Sequence, residues 1–311
     1  MSKVILNTLM MDKKIILDCI KKADAAPAIP GNDVLTGFSG AKLIALLGNL
    51  ASQFCDEENA YLEIGVYQGL SLLSVTMACP GTKAFGIDNF SFFDRDGKNL
   101  AIVNERMHRL GIKNAAIINE DYEDALEDLD SRTGNRKIGL CFIDGPHDYR
   151  SQLMCLLLIR KYLADEAVIV VDDSNYRHVR QANSDFLTTN PEFRLIFEAY
   201  TQAHPTNLGG SEKEEARMGW WNGVNVIIKD RKEMFSRLYP PTLRQRTLFE
   251  NDHFLHTVQF PEAIKKYAPV VVRLAGLAGK RFSKELTGKY RSLNTYSDGL
   301  KKENYNPSFF D

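Results

Sequence analysis

The stretch Tyr61–Ser71, YLEIGVYQGLS, constrains the chain more than any other. Tyr61, Leu62 and Ile64 form a short apolar run that predicts a buried strand, with the acid Glu63 placed where that strand is about to end. Gly65 and Gly69 follow, and Leu70–Cys79 predicts a helix. A strand, a glycine turn and a helix make the front half of a nucleotide-binding α/β unit. Glycines let the backbone turn sharply and let a ligand approach the main chain. The spacing here is E-x-G-x-x-x-G, not the G-x-G-x-x-G that cradles a pyrophosphate. An acid at this strand end disfavours a phosphate and suits a cationic or hydroxyl-bearing ligand.

From residue 60 onward the chain alternates. Strands are predicted at 60–65, 83–88, 114–119, 138–144 and 167–172. Helices are predicted near 70–79, 98–110, 122–130, 150–163 and 177–188. This order specifies a parallel sheet with helices on both faces. Phe193–Tyr200 and Trp220–Lys229 are two further strands joined by a loop rich in Gly, Ser and Glu, with no crossover helix between them. They are expected to pair antiparallel. The predicted fold is therefore α/β, a doubly wound, mostly parallel seven-stranded sheet with an antiparallel last strand.

Residues 1–34 read as an N-terminal helical cover, with Ile15, Ile16, Cys19 and Ile20 on one helical face before Pro27, Pro30, Gly31 and Asn32 break the pattern. A second amphipathic helix, Lys42–Phe54, carries the stripe Leu43, Leu46, Leu47 and Leu50. Residues 35–230 form the main domain. Residues 231–311 form a basic extension punctuated by Pro240, Pro241, Pro261 and Pro269, with a helix over Ile264–Leu277 shortened or kinked at Pro269. From Thr287 on the chain reads as extended or poorly ordered.

In open α/β sheets, ligands bind outside the carboxyl ends of the strands. The five predicted parallel strands deliver Glu63, Asp88, Asp121, Asp144 and the pair Asp172–Asp173 to that edge. Asp88, 25 positions after Glu63, suits the hydroxyls of a ribose; its alternative reading is a helix N-cap. Asp121 reads as the N-cap of helix 122–130. Asp144, in FIDGPHDY, and Asp172 and Asp173, in VVDDSN, fall on strand ends expected to be neighbours. Carboxylates gathered so closely repel unless neutralised, and all-oxygen ligation of Mg²⁺ or another divalent cation would relieve them. The alternative is a set of caps and salt bridges. His147 lies three residues past Asp144 and could accept a proton near neutrality; it could equally cap the helix that begins at Arg150. His178 is a second candidate base, while His253 and His256 read as surface or packing residues. Tyr67, Trp220 and Trp221 read as pocket walls or as core.

These residues carry a family resemblance. The E-x-G-x-x-x-G turn resembles motif I of class I S-adenosylmethionine-dependent methyltransferases, and Asp121–Tyr122 resembles the acidic turn that faces adenine there, with Tyr122 where a Ser is usual. Ile143, Asp144, His147 and Tyr149, followed by Asp172 and Asp173, resemble the metal-dependent O-methyltransferase branch that includes macrolide-sugar O-methyltransferases and cephalosporin-hydroxylase-like proteins. The resemblance covers about residues 40–230 and implies a class I, Rossmann-like fold. It implies S-adenosylmethionine held by Glu63, Gly65, Tyr67, Gly69, Ser71, Asp88, Asp121, Tyr122 and Asp144. It implies Mg²⁺ on Asp144, Asp172 and Asp173, and catalysis by His147 and Asp144. The expected reaction is methylation of a small-molecule hydroxyl, on a sugar diol or a phenolic natural product. The alternatives are a metal-free small-molecule methyltransferase and a catalytically inactive cofactor-binding scaffold.

Composition narrows the partners. The chain of 311 residues is 44% hydrophobic and 25% charged, with a net charge of -1. No global field draws nucleic acid or a membrane surface. Apolar runs such as Leu153–Ile159 are far short of the ~20 residues that span a bilayer. Asp12, Lys13 and Lys14 interrupt any apolar leader, and the five cysteines form no C-x-x-C pair, so buried reduced thiols in a cytoplasmic protein are expected. From Arg231 to Asp311 there are 15 Lys/Arg against 8 Asp/Glu, a balance of +7, which leaves -8 on the remainder. Either solvated helices or a site for an acidic partner or a phosphate-bearing carrier accounts for that shift. A small-molecule acceptor and a homo-oligomer built on the terminal segments complete the expectations.

Overall fold

The computed structural model describes residues 12–25, 34–94, 96–201, 204–205, 208–242, 267, 270 and 303–311. Two helices come first, α1 (Lys13–Asp24) and α2 (Ala41–Phe54). The alternation then runs β1 (Asn59–Ile64), α3 (Leu70–Ala78), β2 (Ala84–Ile87), α4 (Asn99–Arg109), β3 (Ala115–Ile118), α5 (Tyr122–Glu127), α6 (Leu129–Thr133), β4 (Lys137–Ile143), α7 (Tyr149–Ile159), β5 (Leu163–Val171), α8 (Arg177–Thr189), β6 (Phe193–Ala199), α9 (Gly210–Met218) and β7 (Val224–Lys229). A last strand, β8 (Glu303–Tyr305), leads into a 3-10 turn at Pro307–Phe309.

The strands form one sheet in the order β3-β2-β1-β4-β5-β7-β6-β8. The five from β1 to β5 pair parallel. β7 inserts antiparallel between β5 and β6, as the two-strand reading required. The expected seven strands are thus joined by an eighth, β8, antiparallel to β6. Its sequence, Glu-Asn-Tyr, has no alternation to betray a strand; partners hold it. Asn306 Nδ2 donates to the Leu195 and Ser236 carbonyls, and Glu303 accepts from the Trp220 indole and Lys42.

Each face of the sheet has its own core. On one face α1, α2, α3 and Val103 of α4 pack with Tyr61, Leu140, Phe142 and Val168. On the other, α5 through α8 pack with Leu62, Ile64, Cys141, Ile143 and Ile169. The predicted stripe of α2 is wholly buried at Leu43, Leu46, Leu47 and Leu50. Truncating one of these to Ala would cost about 2–5 kcal/mol. All five cysteines are free thiols. Among the described residues no helix is long and apolar enough to cross a membrane.

Three local expectations are corrected. The segment read as loop before β7 contains α9, and β7 starts at Val224 rather than Trp220. α9 buries only Ala216, so its polar sequence, GSEKEEARM, offers no apolar period to read. The helix expected at 122–130 is two short ones, split at Asp128 by a non-helical backbone. β5 begins at Leu163 rather than at 167, directly after a 3-10 turn that carries the helical stretch to Tyr162. His253, His256 and all of Ile264–Leu277 except Tyr267 and Val270 lie outside the described residues.

Candidate active site

The crevice of an open sheet lies where neighbouring strands send their chains to opposite faces. Here those strands are β1 and β4: α3 follows β1 onto one face and α7 follows β4 onto the other. Backbone hydrogen bonds set the rim level across four strands. Asp88 N donates to Ile118 O at 3.2 Å, Gly65 N to Ile87 O at 2.9 Å, Asp144 N to Ile64 O at 2.8 Å and Asp172 N to Ile143 O at 3.0 Å. Asp88, Gly65, Asp144 and Asp172 therefore occupy equivalent positions along β2, β1, β4 and β5. Glu63 sits lower and Asp121 higher, so the acids expected along the edge do not share one level.

The glycine turn is built on Glu63. Its carboxyl is fully buried and accepts from the Tyr61 hydroxyl at 2.6 Å and the Ser71 hydroxyl at 2.7 Å. Burial pushes its pKa up to about 8, against the pull of those donors and the Leu72 amide. Glu63 and Ser71 thus form a clasp beneath the turn, joining β1 to α3. Gly65 has φ +92°, and a Cβ there would lie 2.1 Å from the Asp144 carbonyl oxygen, so only glycine allows the turn to lie against the end of β4. Gly69, at φ +80°, caps α3, and Tyr67 takes a left-handed φ of +50°.

Asp88 fastens the turn from the side. Its Oδ2 accepts from the amides of Val66 and Tyr67, both at 2.8 Å, and its Oδ1 from Phe90 at 2.7 Å. Three of the roughly four acceptor sites of a carboxylate are used, which leaves one for a ribose hydroxyl where two were expected. Asp121 is the N-cap of α5, accepting from the Glu123 amide, and its other oxygen meets the Asn89 amide at 3.2 Å. The Tyr122 ring is buried in the α5–α8 core and its hydroxyl donates to Glu123.

The second cluster gathers around Asp173. One ligand atom each from Asp144, His147 and Asp173 lies within 4.8 Å of the others, the one such group of three among the described residues. His147 Nε2 donates to Asp173 Oδ2 at 2.5 Å, and Asn222 Nδ2 donates to Asp173 Oδ1 at 2.6 Å. Burial pushes the Asp173 carboxyl up, but the His147 charge and these donors outweigh it and hold it below the usual range. For His147 burial lowers the pKa, and Asp173 reverses the sign and raises it. Asp148, not His147, caps α7, accepting from the Ser151 amide at 3.0 Å. His147 is thereby left to the cluster, and with Nε2 committed to Asp173, Nδ1 is the nitrogen that can take up a proton.

Burial and the charges of Asp172 and Asp173 hold Asp144 well above the ordinary carboxylate range. Asp172 is likewise raised by burial and by Asp173, and is only 2% exposed, with Oδ1 accepting from the Asp173 amide. A cation site therefore fits Asp144 and Asp173 at its front, with Asp172 behind. Crowded carboxylates beside imidazoles are the donor chemistry such an ion requires. His178 lies on the first turn of α8, outside the group, and Tyr149 donates its hydroxyl to Asp185 of α8.

Four residues of the site escaped sequence reasoning: Phe38, Arg106, Tyr176 and His204. Rings run from the cluster back to the glycine turn, with His147–Tyr176 centroids 5.7 Å apart, Tyr176–His204 6.4 Å, His204–Trp221 6.3 Å, Trp221–Phe38 6.3 Å and Phe38–Tyr67 5.1 Å. Trp221 and Tyr67 stand in this arc. Trp220 does not; it is buried against Phe197 and bonded to Glu303. Only Arg106 left a sequence signal, an inward place on α4 three residues after the buried Val103.

Residues 62–174 match the family model described as "Methyltransferase domain". That span runs from β1 to the chain just past β5 and contains Glu63, the glycine turn, Asp88, Asp144, His147 and both acids of the pair. The chain carries a methyltransferase domain, on the α/β fold expected from its sequence. No curated protein sequence matches it. Solved structures similar to it include the O-methyltransferase from Bacillus cereus in complex with SAH, at 14% identity over 72% of this chain and 94% of that one, with a TM-score of 0.45. They also include the O-methyltransferase TomG from Streptomyces achromogenes, involved in tomaymycin synthesis and in complex with SAM, at 15% identity over 72% and 92%, TM-score 0.47. SAH-bound PaMTH1, a methyltransferase of Podospora anserina, is similar at 15% identity over 68% and 86%, TM-score 0.43.

Proposed function

We propose that the protein is an S-adenosylmethionine-dependent O-methyltransferase that acts on a hydroxyl of a small molecule, with a divalent cation among its rim carboxylates. The observation that supports this reading best is the contact between the glycine turn and the acid cluster. Gly65 lies so close to the Asp144 carbonyl that a Cβ would sit 2.1 Å from it. Donor cradle and carboxylates thus share one crevice, the arrangement a transfer between two bound molecules needs.

When bound, S-adenosylmethionine supplies an electrophilic methyl group, and a divalent cation supplies acidification of a coordinated hydroxyl. The chain's own residues do the rest. The turn Gly65–Gly69, held by the Glu63 clasp and by Asp88, presents backbone to the donor, and the remaining acceptor site of Asp88 suits a ribose hydroxyl. Asp144 and Asp173 would hold the cation. His147 Nδ1 takes up the acceptor's proton, and the Asp173 carboxylate at Nε2 stabilises the resulting imidazolium. Asn222 keeps Asp173 oriented for that task.

Calorimetry with S-adenosylhomocysteine and turnover with and without EDTA test this reading. Wild-type protein should bind the product, Asp88→Ala should bind it about 10-fold or more weakly, and Asp144→Asn should bind it nearly as well while losing turnover. EDTA should abolish turnover and Mg²⁺ restore it. Wild-type protein that binds no S-adenosylhomocysteine would sink the reading. Unchanged turnover in EDTA would remove the cation and leave the metal-free enzyme.

A further inference from the structure

The segment 34–40, which leads into α2, runs across the crevice from the glycine turn to the loop after α9. It is seated at both ends. On the donor side, the buried Arg106 guanidinium donates to the Thr36 carbonyl at 2.9 Å, the Thr36 hydroxyl at 2.8 Å and the Gln68 carbonyl of the glycine turn at 2.6 Å. A Cβ on Gly37 would meet Leu70 of α3 at 2.8 Å. On the other side, a Cβ on Gly40 would lie 2.1 Å from the Gly219 carbonyl oxygen, and the Lys42 amide donates to that same oxygen at 3.2 Å. Between these seats stands Phe38, 54% exposed although three anchors surround it.

The position of Phe38 is specific. It touches Tyr67 on the donor turn and Trp221 on the loop whose next residue, Asn222, holds Asp173. Tyr67, Trp221 and Asp173 all have φ between +50° and +53°. Non-glycine residues kept in that region cost on the order of 1–3 kcal/mol each and mark places where surrounding structure enforces a geometry. With Tyr67, Ser91, Phe93 and Asp94, Phe38 also lines a recess of ≈ 470 Å³. Beside it the buried Ser39 hydroxyl makes no hydrogen bond among the described residues. An exposed ring, an unused buried hydroxyl and an enforced aromatic wall between donor and cluster are what an acceptor-contacting surface requires.

We propose that Phe38 contacts the methyl acceptor and, with Trp221, decides which acceptors are turned over, and that Arg106 is the positioning residue that holds the 34–40 strap in place. This rests on the methyl-transfer reading above. Arg106 acts at a distance: three bonds from one rigid fork fix Thr36 to Gln68, and hence Phe38 to the donor turn.

The test compares wild-type protein with Phe38→Leu, Phe38→Tyr and Arg106→Lys, using catechol and methyl α-mannopyranoside as probe diols in the presence of Mg²⁺. S-adenosylhomocysteine affinity, read by calorimetry, should stay within about twofold in all four proteins. Phe38→Leu should change the catechol-to-mannoside ratio of kcat/KM about 10-fold or more, with Phe38→Tyr restoring it. Arg106→Lys should raise KM for the better probe about fivefold or more while kcat stays within about twofold, a split that general loosening of the fold would not give. Binding is read independently in protein labelled with 5-fluorotryptophan, which carries two tryptophans. Either probe should move the Trp221 ¹⁹F resonance, at about 10-fold higher concentration in Phe38→Leu. A Trp221 resonance unmoved by both probes overturns the proposal, as does an unchanged selectivity ratio. So does a 10-fold loss of S-adenosylhomocysteine affinity in Phe38→Leu, which would make the ring part of the donor wall. Failure of wild-type protein to bind S-adenosylhomocysteine would instead sink the methyl-transfer reading.

Discussion

Glu63 shows how the same residue reads differently from sequence and from structure. Its place one residue before the end of β1 suggested a carboxylate facing the ligand. Side chains alternate along a strand, however, and Glu63 shares its face with Tyr61, beneath α3. Its pKa of about 8 has a stability consequence. A carboxyl raised above its ordinary value of 4.5 contributes stability that is fully present below that pH and lost as pH rises through about 8. Glu63→Gln keeps a neutral group of the same shape, and the Tyr61 and Ser71 hydroxyls can rotate to serve it. The variant should therefore match wild type near pH 5 and exceed it in Tm by a growing margin up to pH 9. Parallel melting curves across that range would refute the assignment. Glu63→Ala, which strands two buried hydroxyls, should be less stable at every pH, by about 1–3 kcal/mol for each group left unsatisfied.

At the scale of elements, the parts that the sequence hid are those lacking an apolar period. α9 is polar all round, and β8 is three residues long. β8 is held by long-range partners: Asn304 donates to Glu198, Tyr305 packs on Phe197 with centroids 4.9 Å apart, and Lys13 of α1 reaches the Ser308 carbonyl. Net contributions of about 0.5–1.5 kcal/mol per hydrogen bond make this short strand a substantial fastening. It also covers the edge of β6, whose unpaired backbone would otherwise template association. Ending the chain after residue 302 should lower Tm and shift the protein toward larger species in size-exclusion chromatography. An unchanged Tm and elution volume would show that β8 is dispensable.

At the scale of the whole molecule, the crevice exists because β1 and β4 send their chains to opposite faces. That topology places Asp144, Asp172 and Asp173 together, at an electrostatic cost that their own hydrogen bonds only partly offset. Adding Mg²⁺ to cation-free protein should raise Tm, and Asp144→Asn should remove that response while raising Tm in the absence of the cation, since one crowded charge is gone. A Tm equally responsive to Mg²⁺ in the variant would place the ion elsewhere.

Much of this architecture was legible without coordinates. The alternation of strands with amphipathic helices required a doubly wound parallel sheet, and the acids after its strands marked the rim, because period and position are properties of the chain itself. Tertiary structure alone decided which acids face the crevice. Asp173 rather than Asp172 stands at the front beside Asp144, since a left-handed turn at Asp173 swings its carboxylate toward His147 and Asn222. The arc of Phe38, Tyr67, Trp221, His204 and Tyr176 was likewise invisible in one dimension. Its rings come from four separate loops and one helix cap, and no local periodicity relates residues whose proximity is created by the sheet between them.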